Sequence, residues 1–157
     1  MTNEQQKISL SNKRAYHEYE ILEKFEAGIA LHGTEVKSIR QGRVSFKDSY
    51  AKVMDGELWV VNLHITPYDH GGYSNHDPIR RRKLLLHKYE LKRLIGKIEE
   101  RGLTVVPLHI YFKGSHAKIQ IGLARGKKTH DKRHDIAKRD MNRDAQRELK
   151  NKYRVNL

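Results

Sequence analysis

This 157-residue sequence predicts a mainly β fold, with short strands in antiparallel hairpins and helices inserted between them. Three observations lead there. The apolar residues come in short bursts that alternate with a period near two. An Asp-Gly pair, Asp55-Gly56, joins two such bursts. One segment with helical periodicity stands between hairpins.

Residues 1–10 are polar and aperiodic, and read as a flexible N-terminal arm. Tyr19–Phe25 and Ala27–Leu31 alternate about Gly28, which suggests a bend or bulge in a curved strand. Thr34 is expected to cap a short helix over Glu35–Arg40, which Gly42 would end. Asp48–Met54 and Glu57–Ile65 are expected to pair through a type I′ turn, because Asp-Gly supplies the positive φ angles that turn requires. Thr66–Lys83 reads as a long loop of turn formers, a length that is usually functional or disordered. A helix is expected from His87 to Arg101, with Leu91, Leu94, Ile95 and Ile98 at i, i+3, i+4, i+7 and Gly102 as its stop. Leu103–Phe112 and Ala117–Ala124 form a second hairpin, in which Pro107 implies an edge position or a bulge. This pattern fits a small closed antiparallel barrel of the oligonucleotide-binding type, with two or three short helices, over residues 11–124. Residues 125–157 form a basic C-terminal tail.

Charge narrows the function. The chain carries 32 Lys/Arg against 19 Asp/Glu, a net charge of +13, and 32% of its residues are charged. Like charges repel in a compact state, so this excess points to an acidic partner, nucleic acid before an anionic membrane surface. The absence of cysteine excludes disulfides, thiolate metal sites and a cysteine nucleophile. Met1–Lys7 lacks the apolar run of a signal peptide and no apolar stretch approaches a membrane span, so a cytoplasmic protein is expected.

Two basic–aromatic clusters suit RNA. Arg80-Arg81-Arg82-Lys83 follows Tyr68 and Tyr73, and Asn12, Lys13, Arg14, Tyr16, His17 and Tyr19 lie near the start. Cations neutralise phosphates while flat rings stack on unpaired bases; the bland alternative is solvated charge around half-buried tyrosines. In the tail, 12 Lys/Arg face 5 Asp/Glu, a net +7. Ala137, Met141, Ala145, Leu149 and Tyr153 recur every fourth residue, a stripe too narrow to offset the roughly 1–2 kcal/mol per residue of ordering entropy. The tail is therefore expected to be disordered alone and helical against a polyanion, and it lacks the bulky anchors of a membrane-surface helix. Gly122–Thr129 imitates a phosphate loop but is one residue short. His130 and His134 sit at i, i+4, yet they are flanked by Lys and Arg and read as solvated rather than ligating.

The residues also resemble a family. Asn12-Lys13-Arg14-Ala15-Tyr16-His17-Glu18-Tyr19, Glu26-Ala27-Gly28-Ile29, Gly33-Thr34-Glu35-Val36-Lys37-Ser38 and Asp48-Ser49-Tyr50 are similar to the SsrA-binding protein (small protein B) family. So are His64–Tyr68, Arg82–His87, Gly126-Lys127-Lys128 and Asp131-Lys132-Arg133. The resemblance implies a monomeric, non-enzymatic RNA-binding adaptor of trans-translation, with no metal and no cofactor. It implies binding to the tRNA-like domain of transfer-messenger RNA and delivery of that RNA to stalled ribosomes. Asn12, Glu26 and Leu85 would belong to the RNA-binding surface, with Arg82 and Lys83 nearby; Lys13, Arg14 and His17 complete the candidate set. Gly126, Lys127, Lys128, Asp131, Lys132 and Arg133 would serve the decoding centre and the empty messenger channel of the small subunit. Glu26 is informative, because a carboxylate repels phosphate and at an RNA surface would accept from a base edge or a 2′-hydroxyl. A small RNA-processing enzyme and a constitutive ribosomal protein are the rival readings.

Overall fold

The alternating bursts become antiparallel strands, and a buried charge holds the turn-rich segment between them. This computed structural model describes residues 8–69, 72, 75–127, 141–144 and 146–147. Its elements, in chain order, are β1 (Ser9–Ser11), α1 (Lys13–Glu18), β2 (Tyr19–Ile29), α2 (Gly33–Arg40), β3 (Val44–Ser45), β4 (Tyr50–Met54), β5 (Glu57–Val61), β6 (His64–Ile65), β7 (Arg82–Leu85), α3 (Lys88–Arg101), β8 (Thr104–Lys113) and β9 (His116–Gly126). The chain divides into two units, Met1–Arg125 and Gly126–Leu157. In the first, hydrogen-bonded strands run in the order β1-β8-β4-β5-β7-β2-β9, and β8 also pairs with β9. The pairing path that leaves β8 through β4 therefore returns to it through β9. β3 and β6 make a separate two-stranded sheet.

Local chemistry explains most of the boundaries. Asp55 (φ 52°) and Gly56 (φ 73°) form the turn between β4 and β5, both left-handed as a type I′ hairpin needs. The β8–β9 register shifts between Pro107 and His109, because proline cannot donate to the ladder. Gly102 (φ 61°) ends α3 and donates to the Ile98 carbonyl at 3.1 Å. Gly28 lies inside one continuous strand, where its service is close approach: a Cβ there would stand 3.3 Å from Leu85 Cβ on the paired strand.

Four expectations are corrected. Ser9 and Leu10, assigned to the flexible arm, pair with Tyr111 and Ile110; strand addition to β8 and packing of Leu10 on the core order a segment with no pattern of its own. The N-cap of α2 is His32, not Thr34, whose hydroxyl is buried without a hydrogen-bond partner. Asn62 (φ 60°) breaks the strand expected over Glu57–Ile65 into β5 and β6. The end of the expected loop is strand β7, inserted between β5 and β2. Helix α1 is an addition; with Ala15 as its one buried residue, it leaves no apolar period to read.

The main core joins Leu58, Val60, Leu84, Ile110, Ile119 and Ile121 from the strands to Ile39 of α2 and Leu94 of α3. A second cluster, Ala15, Val106, Leu108 and Ala124, lies under α1. A Cβ at Gly122 would meet Leu108 Cδ1 at 2.8 Å, so any larger residue there would force the buried Leu108 to shift.

Among these apolar groups Arg82 is 0% exposed. Its Nε donates to Glu35 Oε2 at 2.5 Å, and its terminal nitrogens donate to the carbonyls of Leu63 (2.6 Å), Pro78 (3.1 Å) and Arg80 (3.2 Å). Arg80 pairs with the other carboxylate oxygen, which also accepts from the His32 N–H at 2.9 Å. Burial pushes the Glu35 carboxyl up. The hydrogen bonds from Arg80, His32 and Arg82 outweigh it and hold the group below its usual 4.5.

Replacing Glu35 by Gln leaves buried guanidinium charge uncompensated, so E35Q should lose about 3–5 kcal/mol in urea unfolding at neutral pH. Because the folded pKa is depressed, the wild-type advantage is complete above about 4.5 and fades as pH falls through the folded value. The gap between the two proteins should close with acidification.

Candidate nucleic-acid interface

In β2 the buried side alternates with an outward row, Glu20, Leu22, Lys24, Glu26 and Gly28. In β7, Arg82 and Leu84 face the core while Lys83 and Leu85 face out. Pairing of Gly28 with Leu85 sets the half-exposed Leu85 side chain across the bare glycine, two residues along the strand from Glu26. On the other side, the Glu26 carboxylate accepts from the Tyr111 hydroxyl and, at 2.9 Å, from Lys113 Nζ, both on β8. Hydrogen bonds from Tyr111 and Lys113 hold the Glu26 carboxyl below the usual carboxylate range. Burial, with Glu26 alongside, pushes the Tyr111 phenol up to about 12. His109 extends the row, its ring edge-on to Tyr111 and bonded to Ser9 of β1. Lys24 lies over the Tyr16 ring of α1 at 5.4 Å.

The result is an outer face with flat rings, ammonium groups, an exposed leucine and a carboxylate whose proton is held off. It can stack on bases, neutralise phosphates and accept from a donor edge, a chemistry suited to reading a folded RNA. Glu26 and Leu85 meet on it. Lys83 stands beside Leu85 and pairs with Glu57 at 2.8 Å. Lys13, Arg14 and His17 sit on α1, where Arg14 is exposed and paired with Glu18 at 2.8 Å.

Two expected surface residues are corrected. Arg82 lies in the core, where Glu35 and the Leu63 carbonyl accept its donors. Asn12 is buried and hydrogen-bonded within the fold. Its Oδ1 caps α1 through the Ala15 N–H (3.3 Å), its Nδ2 donates to the Pro107 carbonyl (2.7 Å) and its own N–H to Leu108 O (2.8 Å). Asn12 places α1 on the Pro107 bulge; it is not an open RNA contact here.

Sequence reasoning missed Tyr111, Lys113 and His109. The signal was present in Leu108–Lys113, where His109, Tyr111 and Lys113 occupy the positions opposite to Leu108, Ile110 and Phe112. The Arg80–Lys83 run misled in the other direction, since Arg80 and Arg82 are spent on Glu35.

Of the tail set, Gly126 is the exposed last residue of β9 and Lys127 follows, half-buried. Lys128, Asp131, Lys132 and Arg133 lie outside the described residues, as do His130 and His134. Residues 141–144 and 146–147 are helical, and Met141 of the expected stripe is exposed there. The imitation phosphate loop begins within β9, not at a strand-to-helix turn. Among the described residues, no three His, Asp or Glu are placed to hold a metal, and no helix is long and apolar enough to cross a membrane.

The family model described as SmpB protein matches residues 9–151. An SsrA-binding protein of Carboxydothermus hydrogenoformans is 58% identical over 148 residues, 94% of this chain and 99% of the relative. One of Pelotomaculum thermopropionicum is 54% identical over 149 residues, 95% and 97% of the two chains. A solved chain described under "tmRNA-SmpB: a journey to the center of the bacterial ribosome" is 61% identical, with a TM-score of 0.67 over 78% of this chain and 86% of that one.

The Glu26–Tyr111 contact has a spectroscopic consequence. Glu26→Gln removes the negative acceptor but not the burial, so the Tyr111 phenol should titrate below its present value of about 12 and still above 10. Carbon-13 shifts of labelled tyrosine followed against pH would measure it; an unmoved titration would remove Glu26 as a cause.

Proposed function

Because this chain belongs to the SsrA-binding protein (SmpB) family, we propose that it is an RNA-binding adaptor that carries transfer-messenger RNA to stalled ribosomes. The observation that carries this reading is identity of 58% with an SsrA-binding protein over 99% of that protein's length. It acts in the cytoplasm as a monomer, and performs no catalysis of its own. Its sheet is read as the closed oligonucleotide-binding-type barrel, supported by the second pairing of β8 with β9.

The mechanism divides between the two units. The outer face around Glu26, Leu85, Tyr111 and Lys113 grips the tRNA-like domain by shape, stacking and 2′-hydroxyl or base-edge contacts, with Lys13, Arg14, His17 and Lys83 at its margins. Glu26 gives this grip a filter: a negative acceptor repels backbone phosphates, so only a correctly placed donor edge satisfies it. The tail, from Gly126 through Lys127, Lys128, Asp131, Lys132 and Arg133, carries net charge +7 over residues 125–157. In a messenger channel lined with phosphates it releases counterions and folds as it binds. A channel already holding messenger excludes it by volume and by charge. Vacancy is thus sensed by binding alone.

Deleting residues 131–157 should leave the affinity for transfer-messenger RNA within about threefold of wild type, while tagging of stalled products in a reconstituted translation system disappears. Loss of RNA affinity in the truncated protein would refute the division. Full-length protein should also leave labelled structured RNA uncut with or without divalent metal; cleavage that co-purifies with the protein would favour a processing enzyme.

A further inference from the structure

A cavity of the first unit lies beside α1, lined by none of Glu26, Leu85, Tyr111 or Lys113. About 390 Å³ opens between α1, the β3–β4 connection and the end of β5, at the lower end of the size range of small-molecule sites. Two segments singled out in the sequence, Asn12–Tyr19 and Asp48–Tyr50, converge on it, and the outer-face mechanism uses little of either. Arg14, Glu18, Tyr19, Asp48, Tyr50 and Asn62 line it.

Their chemistry is specific. Tyr50 is 37% exposed, and Tyr19 is half-buried at the α1–β2 junction. Both are flat surfaces suited to stacking. Asp48 is exposed at φ 59°. Its carbonyl accepts from Asn62 Nδ2 at 3.4 Å, whereas its carboxylate has no hydrogen-bond or ion-pair partner among the described residues. Arg14 gives its Nε to Glu18, leaving its terminal nitrogens for a phosphate at the mouth. A cavity with two carboxylates rejects phosphate from its interior and selects a flat ligand with adjacent N–H donors.

We propose that this cavity holds an unpaired guanine of the bound RNA, its N1–H and 2-amino group donated to the two oxygens of Asp48 and its ring stacked on tyrosine. Guanine is the base with two adjacent donors on its Watson–Crick edge, matching a carboxylate in parallel. On adenine and cytosine the amino group adjoins a ring acceptor that the carboxylate repels, and the uracil imino group lies between two carbonyls. This assignment rests on the adaptor reading above and names one base class that the adaptor takes.

The test uses the full chain and the variant Asp48→Asn, which tolerates the left-handed backbone but replaces one acceptor oxygen by a donor. Titration of 5′-GMP, followed by amide NMR, should shift Asp48, Tyr50 and Asn62. 5′-IMP, which lacks the 2-amino group, should bind about tenfold more weakly, and 5′-AMP should leave these resonances in place. D48N should abolish the GMP response and weaken transfer-messenger RNA binding by about 10- to 100-fold at an unchanged melting temperature. Tyr50→Ala should weaken both ligands in parallel. Equal shifts with AMP and GMP, unaltered GMP and RNA affinities in D48N, or occupation by arginine amide in place of GMP would each overturn the proposal, the last by making this a cation site for a protein side chain. A wild-type protein that responds to GMP but has no affinity for transfer-messenger RNA would overturn the adaptor reading and leave the guanine site standing.

Discussion

The buried pairing of Glu35 with Arg82 is the constraint on which the rest of this fold depends. One carboxylate and one guanidinium, both nearly or wholly out of water, join α2, β7, the Leu63 carbonyl and the Pro78–Arg80 end of the long connection. A charge placed there without partners would cost more than the fold can bear. Each oxygen and nitrogen in the cluster therefore fixes the position of the next. The backbone N–H of Ile65 completes the arrangement by donating to the same Pro78 carbonyl at 2.9 Å, so β6 and the connection share one anchor.

That anchor has a consequence on the opposite side of β7. With Arg82 and Leu84 drawn into the core, Lys83 and Leu85 must face out, since successive side chains of a strand alternate. The absence of a side chain at Gly28 then lets Leu85 lie close over β2. The outer face near Glu26 thus takes its shape from an interaction it does not touch. Rigidity matters to recognition by shape, because a loose surface would spend part of its binding energy on ordering itself.

Electrostatics in this protein works at two grades. A net charge of +13 supplies long-range, salt-sensitive attraction to any polyanion. In the proposed function specificity comes from the reverse sign, placed sparingly: Glu26 between Tyr111 and Lys113, and Asp48 in the lining of the α1 cavity. In the proposed function these acids turn a general affinity for RNA into selection among RNA surfaces, since a phosphate is repelled where a base edge or a hydroxyl is accepted.

The sequence by itself determined the strand-rich class, the Asp55-Gly56 hairpin, the Pro107 irregularity, the third helix with its Gly102 stop, and the charge that implies a polyanionic partner. All are local: turn chemistry, periodicity and composition act over a few residues. Resemblance rather than pattern singled out Glu26 and Leu85, both of which are solvent-facing on β2 and β7. Tertiary structure alone decided which charges are solvent-facing. Arg80–Lys83 reads as one basic run, yet pairing of β7 between β5 and β2 sends Arg82 inward to Glu35, 47 residues away along the chain. Asn12 became a cap and Tyr111 a neighbour of Glu26 for the same reason: the partners of a polar side chain are set by strand register, and register is a property of the whole set of pairings, not of any one segment.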